Sequence, residues 1–181
     1  SRAMAPLAAW IWSCRDEAVG LLSLGLARFQ DLSPAPLELA HVRGGGSIAA
    51  DPLDDWWQSL EAWGERERRS CLSLVGPHRD DLLVRTGGRD AAVFFSRGQI
   101  RRASVALMLA AGKAVEARLR RKPLILLDEI ASELDGEGRK ITVASLEGTG
   151  WQVVAAAAEM PEDQWPGSMW KVEEGAVLPC V

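Results

Sequence analysis

The chain has 181 residues, 48% apolar and 25% charged, which is one domain's worth of sequence with enough apolar material for a real hydrophobic core. Its net charge of −4 excludes a globally basic surface for nucleic acid, and three widely spaced cysteines without a C-x-x-C exclude a disulfide framework or zinc site, so a reducing cytoplasm is expected. No apolar run approaches the roughly 20 residues of a membrane span.

Met4 to Trp12 is apolar but short, and Arg15, Asp16 and Glu17 follow it, so it reads as the start of an amphipathic helix and not as a signal peptide. Ser1-Arg2-Ala3 looks foreign to that helix, and a chain that opens in mid-helix reads as a fragment. The helix is expected from about Pro6 to Leu32, with Leu7, Trp10, Ile11, Cys14, Ala18, Leu21, Leu22, Leu24 and Leu26 as its apolar stripe. Gly20 and Gly25 weaken it by about 1 kcal/mol each relative to alanine. Ser33-Pro34-Ala35-Pro36 ends it, Leu37 to Val42 alternates as a short strand, and Arg43-Gly44-Gly45-Gly46 reads as a flexible turn. A second helix is expected from Asp54 to Arg69, capped near Asp51-Pro52, with Trp56, Trp57, Leu60 and Trp63 facing the core.

Short strands at Leu72 to Val75 and Leu82 to Arg85 flank Gly76-Pro77-His78-Arg79-Asp80-Asp81, and Thr86 to Asp90 turns into a further strand, Ala91 to Phe95. From Arg97 to about Arg121, Ile100, Ala103, Leu107, Ala110, Ala114 and Ala117 recur at helical spacing on a single face. Pro123 stops that helix. Leu124-Ile125-Leu126-Leu127 is a continuous apolar run, the pattern of a strand buried on both faces of a parallel sheet. A helix near Glu137 to Glu147, a second buried strand from Gln152 to Ala157, and a hairpin of Met169 to Val172 with Ala176 to Leu178 complete the chain. Strand–helix–strand order over residues 91–157 implies an α/β layer with a parallel core, the long helix lying on one sheet face.

Three segments carry chemistry. Ser96-Arg97-Gly98-Gln99 opens the long helix as a capping box, Ser96 and Gln99 each bonding the other's amide. A helix amino terminus also gathers unpaired amides and partial positive charge that suit phosphate, and Gly98 lets a ligand approach the backbone. Asp128 and Glu129 follow the apolar run, at the carboxyl edge where open α/β sheets bind ligands. There Asp128 suits magnesium and Glu129 suits polarising a water, two roles phosphoryl transfer needs beside a phosphate cradle. The bland alternative makes Asp128 a turn cap and Glu129 a solvated side chain. Ser132-Glu133-Leu134-Asp135 leaves the same strand, with Asp135 a plausible helix cap. The arginine clusters, Arg66, Arg68 and Arg69, then Arg97, Arg101 and Arg102, then Arg118, Arg120, Arg121 and Lys122, are usually solvated helix faces and less often phosphate contacts.

Signature helix, acidic strand end and Ser-x-Leu-Asp loop, in this order, resemble an ABC-type ATPase, and Ser96-Arg97-Gly98-Gln99, Gly76-Pro77-His78-Arg79-Asp80-Asp81-Leu82 and Asp128-Glu129 with Ser132-Glu133-Leu134-Asp135 resemble the RecF family within it. The resemblance is strongest over residues 72–135. It implies lobe II of an ABC-type ATPase head, an α/β lobe with a parallel-core sheet and flanking helices, plus a helical arm: residues 1–70 as arm remnant, 71–181 as signature and Walker B lobe. It further implies ATP sandwiched in a homodimer, with Ser96, Arg97, Gly98, Gln99 and Asp135 on the nucleotide side, Asp128 holding Mg2+ and Glu129 with Asp128 in the catalytic role. DNA at single-strand/double-strand junctions and RecO- and RecR-type proteins are the implied partners, in cytoplasmic DNA repair.

The sequence departs from that pattern in three places. No Gly-x-x-x-x-Gly-Lys-Ser/Thr occurs, and Gly44-Gly45-Gly46-Ser47 lacks the lysine, so the chain alone is not expected to bind ATP tightly or hydrolyse it. Ala155-Ala156-Ala157-Ala158-Glu159 stands where a polar switch residue is usual, and Glu129 where the family often has aspartate. The competing readings are a non-hydrolysing protein- or DNA-binding module derived from the family and, less favoured, an unrelated magnesium-dependent phosphohydrolase.

Overall fold

A computed structural model of the chain describes residues 3–129, 134–158 and 166–180. They form two compact units, Ser1–Lys122 and Pro123–Val181. The first holds α1 (Ala5–Leu26), a 3-10 segment (Ala27–Leu32), β1 (Glu38–Val42), α2 (Pro52–Ser70), β2 (Asp81–Thr86), β3 (Arg89–Asp90), α3 (Ala91–Phe94) and α4 (Arg97–Leu119). The second holds β4 (Leu124–Leu127), α5 (Gly136–Glu147), β5 (Gln152–Ala155), β6 (Trp170–Glu173) and β7 (Ala176–Pro179).

In the first unit α1 packs between two other helices. Ala5, Ala8 and Trp12 are buried against Trp56 and Val75, with Leu60 and Trp63 alongside, and the Trp12 and Trp56 rings meet at 5.8 Å in a tilted arrangement. The expected stripe is therefore displaced: Leu7 and Trp10 are 64% and 67% exposed, because small alanines admit the close approach of α2 that larger side chains would block. Trp57, expected in the core, is 42% exposed. Toward its carboxyl end α1 meets α4 almost backbone to backbone, since a Cβ on Gly25 would lie 2.6 Å from the Ala110 carbonyl oxygen. The buried residues of α4 include Ala106, Leu109 and Ala110, while Ala103 packs against Ala91 and Phe95. Phe29 and Leu32 of the 3-10 segment are also buried, and Arg102 Nε donates to the Leu32 carbonyl at 3.2 Å.

The strand β2 is central, antiparallel to β1 and β3, with Glu38 opposite Arg85 and Val42 opposite Asp81. Asp51 caps α2 by accepting from the Leu53 and Asp54 amides. Two expected strands are absent here. Residues 72–75 do not pair in a sheet; the Leu74 and Val75 amides bond the Glu67 carboxylate instead. Ala91–Phe94 is a helical turn, because Asp90 caps it through the Ala92 amide.

The second unit contains the parallel pair, with β4 beside β5 in the register Leu124 to Gln152 through Leu127 to Ala155. Its crossover helix is α5, not the long helix α4, whose preceding strand β3 pairs antiparallel with β2. Ile125, Leu127, Leu134, Thr142, Leu146 and Trp151 are buried. Leu124, Leu126 and Val154 are 53%, 67% and 52% exposed, so β4 and β5 are covered on one face and not, as expected, on both. Met169–Cys180 closes on itself as the antiparallel β6/β7 hairpin. Among the described residues no helix is long and apolar enough to cross a membrane.

Candidate functional site

The tip of α4 is built as the sequence implies. Ser96 accepts from the Gln99 amide at 3.4 Å, and Gln99 Oε1 accepts from the Ser96 amide at 2.9 Å. This box consumes two amides and leaves those of Arg97 and Gly98 pointing along the helix axis, where the macrodipole favours an anion. Residues 96–99 are exposed, and a Cβ on Gly98 would meet nothing within 4 Å. The chain's own packing therefore does not call for glycine there, although glycine in a helix costs up to about 1 kcal/mol.

Asp128 and Glu129 directly follow β4, and both are exposed. Glu129 has a left-handed backbone, φ 50°. Among the described residues no three His, Cys, Asp or Glu side chains gather as a metal site. Asp128 brings one exposed carboxylate to this edge, and the Asp128–Glu129 pair alone is not a complete cation shell. Asp135 caps α5 by accepting from the Gly138 amide at 2.7 Å. Ser132, Glu133 and Glu159 lie outside the described residues. Ser96 to Gln99 belong to the first compact unit, while Asp128, Glu129 and Asp135 belong to the second.

Sequence reasoning missed a polar centre around Asp80. That carboxylate, 5% exposed, accepts from Trp12 Nε1 (2.8 Å), the Gly44 amide (2.8 Å) and Arg15, and faces His41 Nε2 at 3.0 Å. His41 Nδ1 lies 2.6 Å from Asp16, which also binds Arg43. Arg43 continues to the buried Asp55 and to the Ala49 and Ala50 carbonyls. Burial opposes the charge on Asp80, but the Gly44 amide, Arg15, His41 and Trp12 outweigh it and hold the carboxyl below its ordinary value. Burial likewise opposes charge on Asp16, and its bonds to Arg43 and His41 outweigh it, lowering that carboxyl as well.

The Gly44–Gly46 segment is consequently not a flexible turn. Gly76 donates to the Gly44 carbonyl, Trp63 Nε1 donates to the Gly45 carbonyl, and a Cβ on Gly44 would stand 2.3 Å from the Gly76 oxygen. His78 orders the neighbouring loop by donating from Nε2 to the Ser73 carbonyl at 3.2 Å. No local sequence signal marks this centre, because its partners stand 36 to 68 positions from Asp80 in the chain.

No protein-family model matches the chain. Among curated relatives, the DNA replication and repair protein RecF of Symbiobacterium thermophilum is 34% identical over 177 residues, covering 91% of this chain and 47% of its own. RecF of Magnetococcus marinus is 40% identical over 101 residues, covering 56% and 26%. A solved recombination mediator protein RecF of the RecFOR pathway, with ATP, superposes with a TM-score of 0.76 at 23% identity, covering 99% of this chain and 48% of that one. At that identity the superposition speaks for the fold. The chain spans about half the length of the relatives it matches most fully. Over that span it corresponds to the carboxyl-terminal half of the RecF family of DNA replication and repair proteins.

Proposed function

We propose that the chain is the signature and Walker B half of a RecF-like DNA-repair ATPase, completed by a half that brings the P-loop. The observation that carries this is the tip of α4, where a closed capping box leaves the Arg97 and Gly98 amides to an anion beside a glycine that the chain's own packing does not require. In this reading Ser96, Arg97, Gly98 and Gln99 contact ATP held by the P-loop of a second copy, and Asp135 lines that interface. Asp128 takes one position on Mg2+, which would neutralise developing charge on the phosphates, and Glu129 orients the attacking water. Because ATP joins two copies, the homodimer depends on nucleotide. DNA junctions and RecO- and RecR-type proteins are the partners this reading assigns. The exposed arginines of α2 and α4, Arg101 among them, are the candidate phosphate contacts.

The test uses the chain joined to a RecF P-loop half. DNA-stimulated, magnesium-dependent ATP turnover is expected, and Glu129→Gln should lower turnover by about 100-fold or more while trapping ATP-bound dimers. Unchanged turnover in Glu129→Gln removes that residue from the reaction. Absence of nucleotide-dependent dimers in the parent protein sinks the whole reading and leaves the non-hydrolysing module.

A further inference from the structure

We infer that Asp80 is a positioning residue for the tip of α4, acting through α1. Asp80 gathers groups from three directions: Trp12 and Arg15 on α1, His41 on β1, and the Gly44 amide in the loop that follows. Trp12, Arg15 and Asp16 share one face of α1, so this face is clamped to β1 by the Asp80 contacts at one level and by the Asp16–His41 and Asp16–Arg43 contacts at the next. From Trp12 to Gly25 the helix runs about 20 Å as a rigid rod. At its far end Gly25 rests against the Ala110 backbone of α4, and the 3-10 segment that continues it is held at the Leu32 carbonyl by Arg102, three residues past Gln99. The angle at which the clamp holds α1 therefore sets where α4 lies.

The composition of the clamp argues for geometry over stability. A buried ionic cluster of this kind contributes little net stability compared with an apolar cluster of the same volume, since desolvation offsets the attraction. Hydrogen-bonded charges do fix direction, which apolar contacts do not. The four partners around one carboxylate leave α1 a single orientation relative to β1. The contact chain is independent of what α4 binds; its functional weight rests on the nucleotide reading of residues 96–99.

Amide hydrogen exchange of the 181-residue chain carrying Asp80→Asn tests the inference without nucleotide. Exchange along α1 and in residues 100–106, the first hydrogen-bonded turns of α4, is expected to quicken about tenfold, with residues 83–90 as the internal reference changing much less. Acceleration confined to residues 43–47 and 76–81 overturns the inference, and so does uniform acceleration that includes residues 83–90, which marks a plain loss of stability. Should Asp80→Asn fail to fold, Arg15→Gln removes the half-exposed arm of the clamp and is read by the same criterion, with about threefold quickening expected. In the protein completed with a P-loop half, Asp80→Asn should raise the KM for ATP several-fold more than it lowers kcat. If exchange responds at the α4 tip but the parent protein forms no ATP-dependent dimer, the nucleotide reading falls and the positioning role stands.

Discussion

Two glycines in the same helix provide a measurement of how closely α1 and α4 pack. Gly20 and Gly25 both lie inside α1, and replacing either by alanine gains about 0.5–1 kcal/mol of helix propensity and unfolded-state entropy. At Gly20 the new Cβ meets nothing within 4 Å, so the gain is realised. At Gly25 it falls 2.6 Å from the Ala110 oxygen and 3.2 Å from the Ala110 carbonyl carbon and Cα, all backbone atoms of a regular helix that cannot rotate away. The helices must part, loosening the contacts around Ala106, Leu109 and Ala110, at an overpacking cost of about 1–3 kcal/mol. The two variants share the gain and differ by the overpacking term, about 1–3 kcal/mol, with Gly20→Ala stabilised and Gly25→Ala destabilised once that term exceeds the gain. Urea unfolding followed by tryptophan fluorescence reads this directly, because Trp12 is fully buried against Trp56; the midpoints should separate by about 0.5–1.5 M. A stabilised Gly25→Ala, or equal shifts of the same sign, would refute the close α1–α4 contact on which the positioning argument stands.

Two more outcomes follow from local chemistry. Asp16 and Asp80 have folded-state carboxyl values below the ordinary range, so each adds stability that is fully present above the unfolded value of about 3.9 and is lost as pH falls through the depressed folded value. Acid titration of stability should steepen below about pH 4, and Asp80→Asn should flatten that slope; an identical slope in both proteins counts against the Asp80 centre. At the α4 tip, Ser96→Ala should cost about 1 kcal/mol by thermal melting, whereas Ser96→Asp keeps the cap to within about 0.5 kcal/mol and places a negative charge where phosphate is proposed. Nucleotide-dependent dimerisation should then fail in Ser96→Asp despite its parent-like stability, and dimerisation at the parent level would place the anion elsewhere.

The elements legible in the sequence are those encoded locally. Ser96 and Gln99 three residues apart, the helical period that follows them, the Pro123 stop, and the Glu174-Gly175 turn each specify structure within one or two turns of chain, and α4, β4 and the β6/β7 hairpin lie where these signals put them, although the buried face of α4 takes in Ala106 and Leu109 and leaves the expected Ala117 exposed. Where the reading failed, a nearby side chain outcompeted the pattern. Asp90 caps residues 91–94 into a helical turn that Val93 and Phe94 would otherwise suit as strand, and the Glu67 carboxylate takes the Leu74 and Val75 amides that a sheet would need. The Asp80 centre was illegible for a different reason. Its partners lie 36 to 68 positions away in the chain, so no spacing rule could have reported it.

The burial of β4 is the instructive mismatch. A run of four large aliphatic residues encodes a strand covered on both faces, yet only Ile125 and Leu127 are covered, while Leu124 and Leu126 stand open with Val154 beside them on β5. Leaving such side chains in water forgoes about 1.5–3 kcal/mol apiece, which an ordinary solvated strand face avoids by alternating with polar residues. Neither Leu124 nor Leu126 follows that alternation, so within this unit the second face of β4 stays apolar and open. The chain spans about half the length of the RecF relatives it matches most fully, and Asp128 and Glu129 directly follow this open edge of β4.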